Sequence, residues 1–286
     1  MLCKKPYMQG KLAYACGQCL PCRINRRRLW THRMILESMK HGDSCFVTLT
    51  YDDDHLPEGS TLVPKDTQDF LKRLRWCLEP RKLRYFLVGE YGDETQRPHY
   101  HAAFFGIGVT DASLINEAWG KGHTFTGVLT EDSAQYVAGY VCKKMTNKDD
   151  PRLKGRYPEF ARMSRRPGIA AVAIDEIANV LDTKYGKELV AETGDVPQSL
   201  KYGRKSMPLG RYLRGKLREK LGAAEEFKTR AKEAYALQMC ELFKNCFDDP
   251  QNRKKSYRAI LVSKNKQKVL NLESRTKIFS NKKGKL

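Results

Sequence analysis

The sequence predicts an α+β fold, with a central antiparallel sheet, helices packed on one of its faces and a basic C-terminal extension. Short segments alternate apolar and polar residues, and segments with helical apolar spacing lie between them. The connections between the predicted strands are too short for parallel crossovers. Hydrophobic residues make up 41% of the 286 residues, which is enough for a packed core and excludes a wholly disordered chain.

The first predicted elements follow a cysteine-rich segment, residues 1–22. An arginine-rich helix is expected from about Ile24 to Lys40, ending before Gly42. Residues 44–51 read SCFVTLTY and alternate with β-branched residues, which predicts a strand. Asp66 and Asp69 resemble an N-terminal helix cap, and apolar residues at helical spacing then run to Pro80.

Three more strands and two helices complete the first half of the chain. Strands are predicted at residues 84–91 (RYFLVGEY), 99–106 (HYHAAFFG) and about 124–129. Helices are predicted at residues 112–119 and 133–145. The resulting order is strand, helix, strand, strand, helix, strand, helix.

The pattern weakens after about residue 150. Residues 162–167 and 201–217 look like basic loops, a helix is expected at 223–247, and the residues from 264 onward read as a flexible basic tail. We therefore predict four parts: a cysteine-rich segment at 1–22, an enzymatic domain at 23–170, a basic and partly helical accessory region at 171–262, and the tail at 263–286.

The net charge of +20 indicates a polyanionic partner. Nucleic acid is the first candidate and an anionic membrane surface the second, while a basic protein that is merely well solvated is the alternative. No apolar run approaches the ~20 residues that cross a bilayer, and the N-terminal residues lack the apolar stretch of a signal peptide. We expect a soluble protein in the cytoplasm of its cell, without membrane contact.

Four of the nine cysteines lie in the first 22 residues. An odd number of cysteines without a secretory signal favours reduced thiols over a disulfide framework. Cys16, Cys19 and Cys22, with Cys3 upstream, supply the ligand count of a structural Zn²⁺ site. Small buried thiols are the alternative.

His99 and His101 provide the clearest chemical signal. Residues i and i+2 of a strand point to the same face, so both imidazoles can bind one cation while Tyr100 enters the core. A hairpin between the strands would return Glu90 beside them. Two imidazoles and one carboxylate suit Mg²⁺ or Mn²⁺ acting as a Lewis acid. An exposed carboxylate at the strand end is the alternative for Glu90.

The helix predicted at 133–145 carries a second set of polar groups. Its Val and Ala residues form one apolar face, and Tyr136, Tyr140, Lys143 and Lys144 lie off that face. A tyrosine hydroxyl can attack a metal-polarised phosphodiester, leaving a 5′-phosphotyrosine and a free 3′-OH. A nearby ammonium stabilises the phenolate. An ordinary amphipathic helix is the alternative.

Three segments resemble, in order, the motifs of HUH endonucleases: FVTLTY, RPHYH and YVAGYVCKK. The last resembles the two-tyrosine class, and CGQCLPCR, TLTYDDDHLP, FLVGEYGDETQRPHYHAAFFG and MSRRPGIA resemble the replication initiators of gokushovirus-type Microviridae. The similarity spans about residues 16–169. One departure is PGIA, where PGIG is expected. The resemblance implies an HUH-like fold, single-stranded DNA as substrate, metal dependence, and nicking followed by rejoining.

We therefore predict a bacteriophage rolling-circle replication initiator that nicks origin DNA. Tyr140 is the first nucleophile and Tyr136 its alternating partner. The sequence contains no G-x-x-x-x-G-K-[ST] motif, so unwinding and synthesis are assigned to the helicase and DNA polymerase of the host. A two-tyrosine transposase or relaxase is one alternative. A non-enzymatic basic protein that binds single-stranded DNA and holds a structural Zn²⁺ is another.

Overall fold

The structure is a computed structural model that describes residues 2–92, 95–140, 149–222 and 224–283. The chain divides into two compact units. The sheet unit comprises Arg27–Val180 and Gln198–Lys220, and the terminal unit comprises Met1–Arg26, Leu181–Pro197 and Leu221–Leu286. The four-part division made from the sequence stays a prediction.

The elements follow one another along the chain as two series. The strands are β1 Tyr7–Gln9, β2 Leu12–Tyr14, β3 Ser44–Thr50, β4 Arg84–Tyr91, β5 Pro98–Phe105, β6 Thr124–Val128, β7 Phe160–Met163, β8 Ser199–Tyr202 and β9 Lys205–Pro208. The helices are α1 Leu20–Ser38, α2 Pro64–Leu78, α3 Ala112–Trp119, α4 Glu131–Tyr140, α5 Ile174–Asp182, α6 Lys184–Thr193, α7 Gly210–Lys220, α8 Ala224–Phe247 and α9 Tyr257–Lys283.

The predicted α+β fold with an antiparallel central sheet is confirmed. Five strands are ordered β6-β3-β5-β4-β7, and every neighbouring pair is antiparallel. The hairpin of β4 and β5 lies in the middle of the sheet, and its two strands match their predicted bounds to within one residue. The predicted order of elements from β3 to α4 is also confirmed.

Helices cover both faces of the sheet, so the prediction of a single covered face was wrong. On one face, Phe70 of α2 and Trp119 of α3 pack with Tyr100 and Phe104 of β5. On the other, residues of α1 and α4 pack with Phe86 and Ala103. The reason is visible in β4 and β5, whose central residues are buried on both sides, as their nearly continuous apolar sequences require.

Helix α2 begins two residues earlier than predicted. Pro64 occupies the first turn and Val63 precedes it, so Asp66 lies inside the helix instead of capping it. Proline suits this position because the first backbone N–H groups of a helix have no intrahelical partner. The Asp66 carboxylate accepts a hydrogen bond from the Tyr51 hydroxyl at 2.8 Å.

Two stretches predicted as basic loops contain regular structure. Phe160–Met163 forms β7, which pairs with β4 at the sheet edge. Residues 199–208 form the β8–β9 hairpin, and α7 follows. A four-residue strand is too short to show a period, and its pairing partner lies about 75 residues away in the sequence, so local patterns did not reveal it.

In the terminal unit, the hairpin of β1 and β2 packs against α8 and α9. Ala13, Met239, Cys246, Tyr257, Ile260 and Leu261 form its core. The predicted flexible tail was wrong for residues 263–283, which belong to α9. Lysine and arginine have high helix propensity, and the apolar residues at helical spacing bury one side of the helix. No described helix is long and apolar enough to span a membrane.

Candidate metal and tyrosine site

The register of β4 and β5 brings together the three predicted metal ligands. Glu90 is the direct cross-strand partner of His99, and His101 lies two residues further along the same face. The Glu90 Oε1 atom is 2.9 Å from the Nε2 atom of His99 and 3.2 Å from the Nε2 atom of His101. Glu90 and His101 are 2% and 4% exposed, so this cluster, the ligand triad, lies largely out of solvent.

Hydrogen bonds behind the triad orient both imidazoles. The Nδ1 atom of His99 lies 3.1 Å from the carbonyl oxygen of Arg97, and the Nδ1 atom of His101 lies 2.9 Å from Thr48 Oγ1. Since a carbonyl only accepts, His99 carries a proton on Nδ1, and its Nε2 lone pair in the neutral ring faces the carboxylate. A cation between these atoms satisfies both, so the residues fit a divalent metal ion.

The donor set narrows the class of metal. Glu90, His99 and His101 offer ligand atoms that all lie within 4.8 Å of one another. Carboxylate ligands suit Mg²⁺ and Mn²⁺, while imidazole also suits softer divalent metals. The assignment to Mg²⁺ or Mn²⁺ stays a prediction.

Helix α4 directs two tyrosines at the triad. Ala134, Val137 and Ala138 are fully buried against the sheet, which leaves Tyr136 41% exposed and Tyr140 half-buried. The Tyr140 ring stacks on the His101 ring, with centroids 5.0 Å apart and planes at 10°. The Tyr136 ring meets the same imidazole edge-on at 5.1 Å. Residues i and i+4 of one helix therefore both contact a metal ligand.

The surroundings oppose ionisation of Tyr140. Burial raises the pKa of its hydroxyl, and the negative charge of Glu90 and hydrogen bonding to Tyr136 raise it further. A bound cation would reverse the sign of the local charge. Lys143 and Lys144, predicted to stabilise the phenolate, lie outside the described residues, as does the predicted continuation of α4 to Met145.

Two site residues on β3 were not identified from the sequence. Thr48 lies opposite His101 in the register and holds its Nδ1 atom. The Phe46 ring stacks on the other side of the His101 imidazole, at 5.8 Å and 14°. The alternation of FVTLTY places both on one face, but the sequence does not show that β3 pairs with β5.

The predicted cysteine site is assembled in the terminal unit. The sulfur atoms of Cys3, Cys16, Cys19 and Cys22 lie within 4.8 Å of one another. Backbone N–H groups of Lys4, Cys16 and Cys19 donate to the sulfur atoms of Cys19, Cys3 and Cys16, at 3.3–3.4 Å. Four converging sulfur atoms that receive hydrogen bonds fit a thiolate-bound metal.

The fold and the triad define a class of protein: an α+β sheet that carries two histidines and a glutamate, with two tyrosines on a neighbouring helix. Residues 44–145 match a protein family described as Replication-associated protein ORF2. This segment runs from β3 past the described end of α4, so it includes the triad and both tyrosines.

Curated relatives from three phages are similar to the chain. Replication-associated protein VP4 of Bdellovibrio phage phiMH2K is 37% identical over 163 residues, covering 49% of this chain and 51% of the relative. Replication-associated protein ORF2 of Spiroplasma virus 4 is 35% identical over 179 residues, covering 54% and 55%. Replication-associated protein ORF4 of Chlamydia phage 1 is 30% identical over 152 residues, covering 45% and 38%.

These comparisons confirm the resemblance to the replication initiators of single-stranded DNA phages. The matches span about half the length of the first two relatives. No solved structure matches the chain.

Proposed function

We propose that this protein initiates rolling-circle DNA replication of a phage by nicking one strand at the origin and later rejoining a unit-length circle. The observation that carries the proposal is the contact of both tyrosine rings with His101, a member of the ligand triad. Few reactions need a metal-binding triad and two adjacent hydroxyl nucleophiles, and successive cleavage of two phosphodiesters is one of them.

In the first step, a bond forms between the Tyr140 hydroxyl oxygen and the phosphorus, and the bond from phosphorus to O3′ breaks. The phenol loses its proton, the released 3′ oxygen gains one, and the 5′ phosphate stays on the tyrosine. Tyr136 attacks in the second cleavage, and the free 3′-OH of the earlier cut then displaces a tyrosine to close the circle. The phosphotyrosine bond conserves the energy of the cut, so rejoining needs no nucleotide cofactor.

The residues of the chain divide this chemistry between them. Glu90, His99 and His101 would hold Mg²⁺ or Mn²⁺, which supplies a positive charge that polarises the scissile phosphate. Thr48 and the Arg97 carbonyl keep the imidazoles in position. Lys143 and Lys144 follow Tyr140 within about one helical turn and are assigned to stabilise the phenolate and the transition-state charge.

The partners follow from the reaction. Origin DNA with a single-stranded segment is the substrate, and the host supplies the helicase and the polymerase. The proposed place of action is the cytoplasm of the bacterial host, where the phage DNA is copied. The similarity to phage replication-associated proteins supports this assignment.

Two alternatives make different predictions. A transposase or relaxase with the same tyrosines would join DNA ends other than those of one circle. A non-enzymatic protein that binds single-stranded DNA would form no covalent adduct, and its binding would not depend on Tyr136 or Tyr140.

The test is the formation of an SDS-stable adduct with single-stranded oligonucleotides that tile the phage genome, in the presence of Mn²⁺ or Mg²⁺. We expect wild-type adduct only with metal, a reduced yield for Tyr136→Phe and for Tyr140→Phe, and none for the double variant. Tyr157→Phe is the matched control, because Tyr157 is 40% exposed, close to the value for Tyr136. DNA binding without any wild-type adduct would refute the nickase.

We further propose that the cysteine cluster holds one structural Zn²⁺. The short spacing of Cys16, Cys19 and Cys22, with Cys3 returning from the hairpin, provides a four-sulfur set without an open position for substrate. Such a site stabilises the fold instead of taking part in the cutting reaction.

The zinc content of the purified protein tests this second proposal. We expect about one zinc per chain, in keeping with one four-sulfur set, and loss of that zinc in Cys19→Ser. Cys240→Ser, which removes a cysteine of the same unit outside the cluster, should keep it. Wild-type protein that is folded and free of zinc after growth with added zinc would contradict the proposal.

A further inference from the structure

An arginine-rich cleft lies at the opposite end of β4 from the ligand triad. Its walls are the C-terminal part of α2, the start of β4 and the segment 162–167, and its volume is about 1400 Å³. Seven of its lining residues are basic and a single one, Glu79, is acidic; the basic ones are Arg75, Arg81, Lys82, Arg84, Arg162, Arg165 and Arg166.

Most of this positive charge is not neutralised by the protein. Arg81 pairs with Asp111 at 2.7 Å, and Arg84 pairs with Glu37. Within the described parts of the chain, no ion pair joins an acidic residue to any of the other five, Arg75, Lys82, Arg162, Arg165 and Arg166. A concave surface with this excess of positive charge attracts polyanions.

Buried polar side chains hold the arginine-bearing segment from behind. Arg33 donates two hydrogen bonds to the Ile169 carbonyl, at 3.0 and 2.8 Å, and Arg84 donates one to the Pro167 carbonyl at 3.0 Å. Glu37, which is fully buried, accepts from the Ala170 N–H. Burying charged groups is costly unless they are paired, and here they fix a loop whose Arg165 and Arg166 face solvent.

We propose that this cleft is a second DNA-binding site, which holds the phosphodiester backbone of a strand outside the cutting centre. The proposal rests on the proposed function, which makes DNA the substrate. Arginine recognises phosphate through its fork of N–H donors. Trp76, 76% exposed and next to Arg75 on α2, offers a base-stacking surface, which favours a single strand over a duplex.

The position of the cleft separates it from the nicking chemistry. Arg84 and Glu90 are six residues apart on β4, which corresponds to about 20 Å along the strand. Arg162 also pairs with Leu87, whose side chain enters the core opposite the triad face. A strand in the cleft is therefore a flanking segment, at least about six nucleotides from the cut at the 3.4 Å spacing of stacked bases.

The test measures the salt dependence of DNA binding by fluorescence anisotropy with 30-nucleotide single strands. Removing two phosphate contacts in Arg165→Gln/Arg166→Gln should weaken binding about tenfold at low salt and reduce the slope of log K against log salt by about 1.4. Lysine at both positions should retain the slope. The control Lys184→Gln/Lys187→Gln removes the same charge from exposed positions on α6 and should leave the slope unchanged.

Further arms separate this proposal from the nickase. On oligonucleotides too short to reach the cleft, the arginine variant should form wild-type amounts of adduct, while the double tyrosine variant should form none yet keep the full salt slope. A slope equal to that of wild type in the arginine variant overturns the cleft. An arginine-dependent slope without any wild-type adduct keeps the cleft and overturns the nickase. A reduction of about 1.8 with duplex DNA and none with single strands overturns the single-strand assignment.

Discussion

The imidazole of His101 is fixed on three sides. Phe46 and Tyr140 stack on its two faces, and Thr48 holds its Nδ1 atom. The ring can therefore neither rotate nor exchange its nitrogens without breaking a packing contact or a hydrogen bond. Such outer contacts keep a metal ligand in its binding orientation before the metal arrives.

Thr48→Val tests this positioning role. Valine has nearly the same shape but cannot bond to Nδ1, so we expect the affinity for Mn²⁺ to fall by about 10- to 100-fold, with little change in unfolding temperature. Titration calorimetry measures the affinity directly. Thr50→Val is the control, because the Thr50 hydroxyl donates to the His123 carbonyl instead. Equal affinities in the two variants would show that Thr48 does not position His101.

The triad could be predicted from the sequence because its geometry is local. The i, i+2 spacing of the histidines and the short connection back to Glu90 are readable in one hairpin. Thr48 and Phe46 could not be assigned in this way, since their proximity to His101 depends on the pairing of β3 with β5 across about 50 residues.

Among the connecting elements, the loop before α5 contains an unusual backbone. Ala170 has φ 70° and ψ 0°, the left-handed region that favours glycine. It is the position where the family resemblance leads one to expect glycine. The residue is fully buried, and its N–H group bonds to Glu37, so the hydrogen-bonded network imposes this conformation on alanine.

Comparison of two alanine-to-glycine variants measures that strain. Ala173, buried three residues later, is not among the residues with positive φ. Glycine at position 173 should destabilise, whereas relief of strain at position 170 offsets the same losses. We expect the free energies of unfolding of Ala170→Gly and Ala173→Gly to differ by about 1–2 kcal/mol in favour of the former. Urea denaturation measures both, and equal losses would show that Ala170 is unstrained.

Elements with a clear period were predictable, and those stabilised by distant partners were not. The bounds of β4 and α3 agree with the prediction, because alternation and amphipathicity are strong there. In contrast, β7 depends on β4, and the lysine-rich sequence of α9 conceals an apolar stripe that has meaning only against α8 and β2.

At the scale of the whole molecule, the terminal unit joins the two ends of the chain. Lys4 pairs with Glu273 at 2.6 Å, and Tyr235 of α8 donates to the Ala13 carbonyl. The cysteine cluster lies in the same N-terminal segment, so a metal ion bound there would stabilise a small core built from elements more than 200 residues apart.

Hydrogen exchange with mass spectrometry can locate this stabilisation. In Cys19→Ser, loss of zinc should reduce the protection of β1, β2, α8 and α9, because metal-binding free energy contributes to folding. The central strands β3, β4 and β5 should keep wild-type protection, and Cys240→Ser should resemble wild type throughout. Unchanged protection of the terminal unit in zinc-free Cys19→Ser would exclude a structural role of the metal.

The placement of the triad on one hairpin has a consequence for the order of assembly. Glu90 and His101 are the ends of a 12-residue stretch, and closing so short a loop costs little chain entropy. Hairpins of this kind form in about 1–10 μs, whereas Tyr136 and Tyr140 must arrive from a helix further along the chain. The three ligands therefore come together, and separate, as one kinetic unit, and the tyrosines dock on a site that already exists.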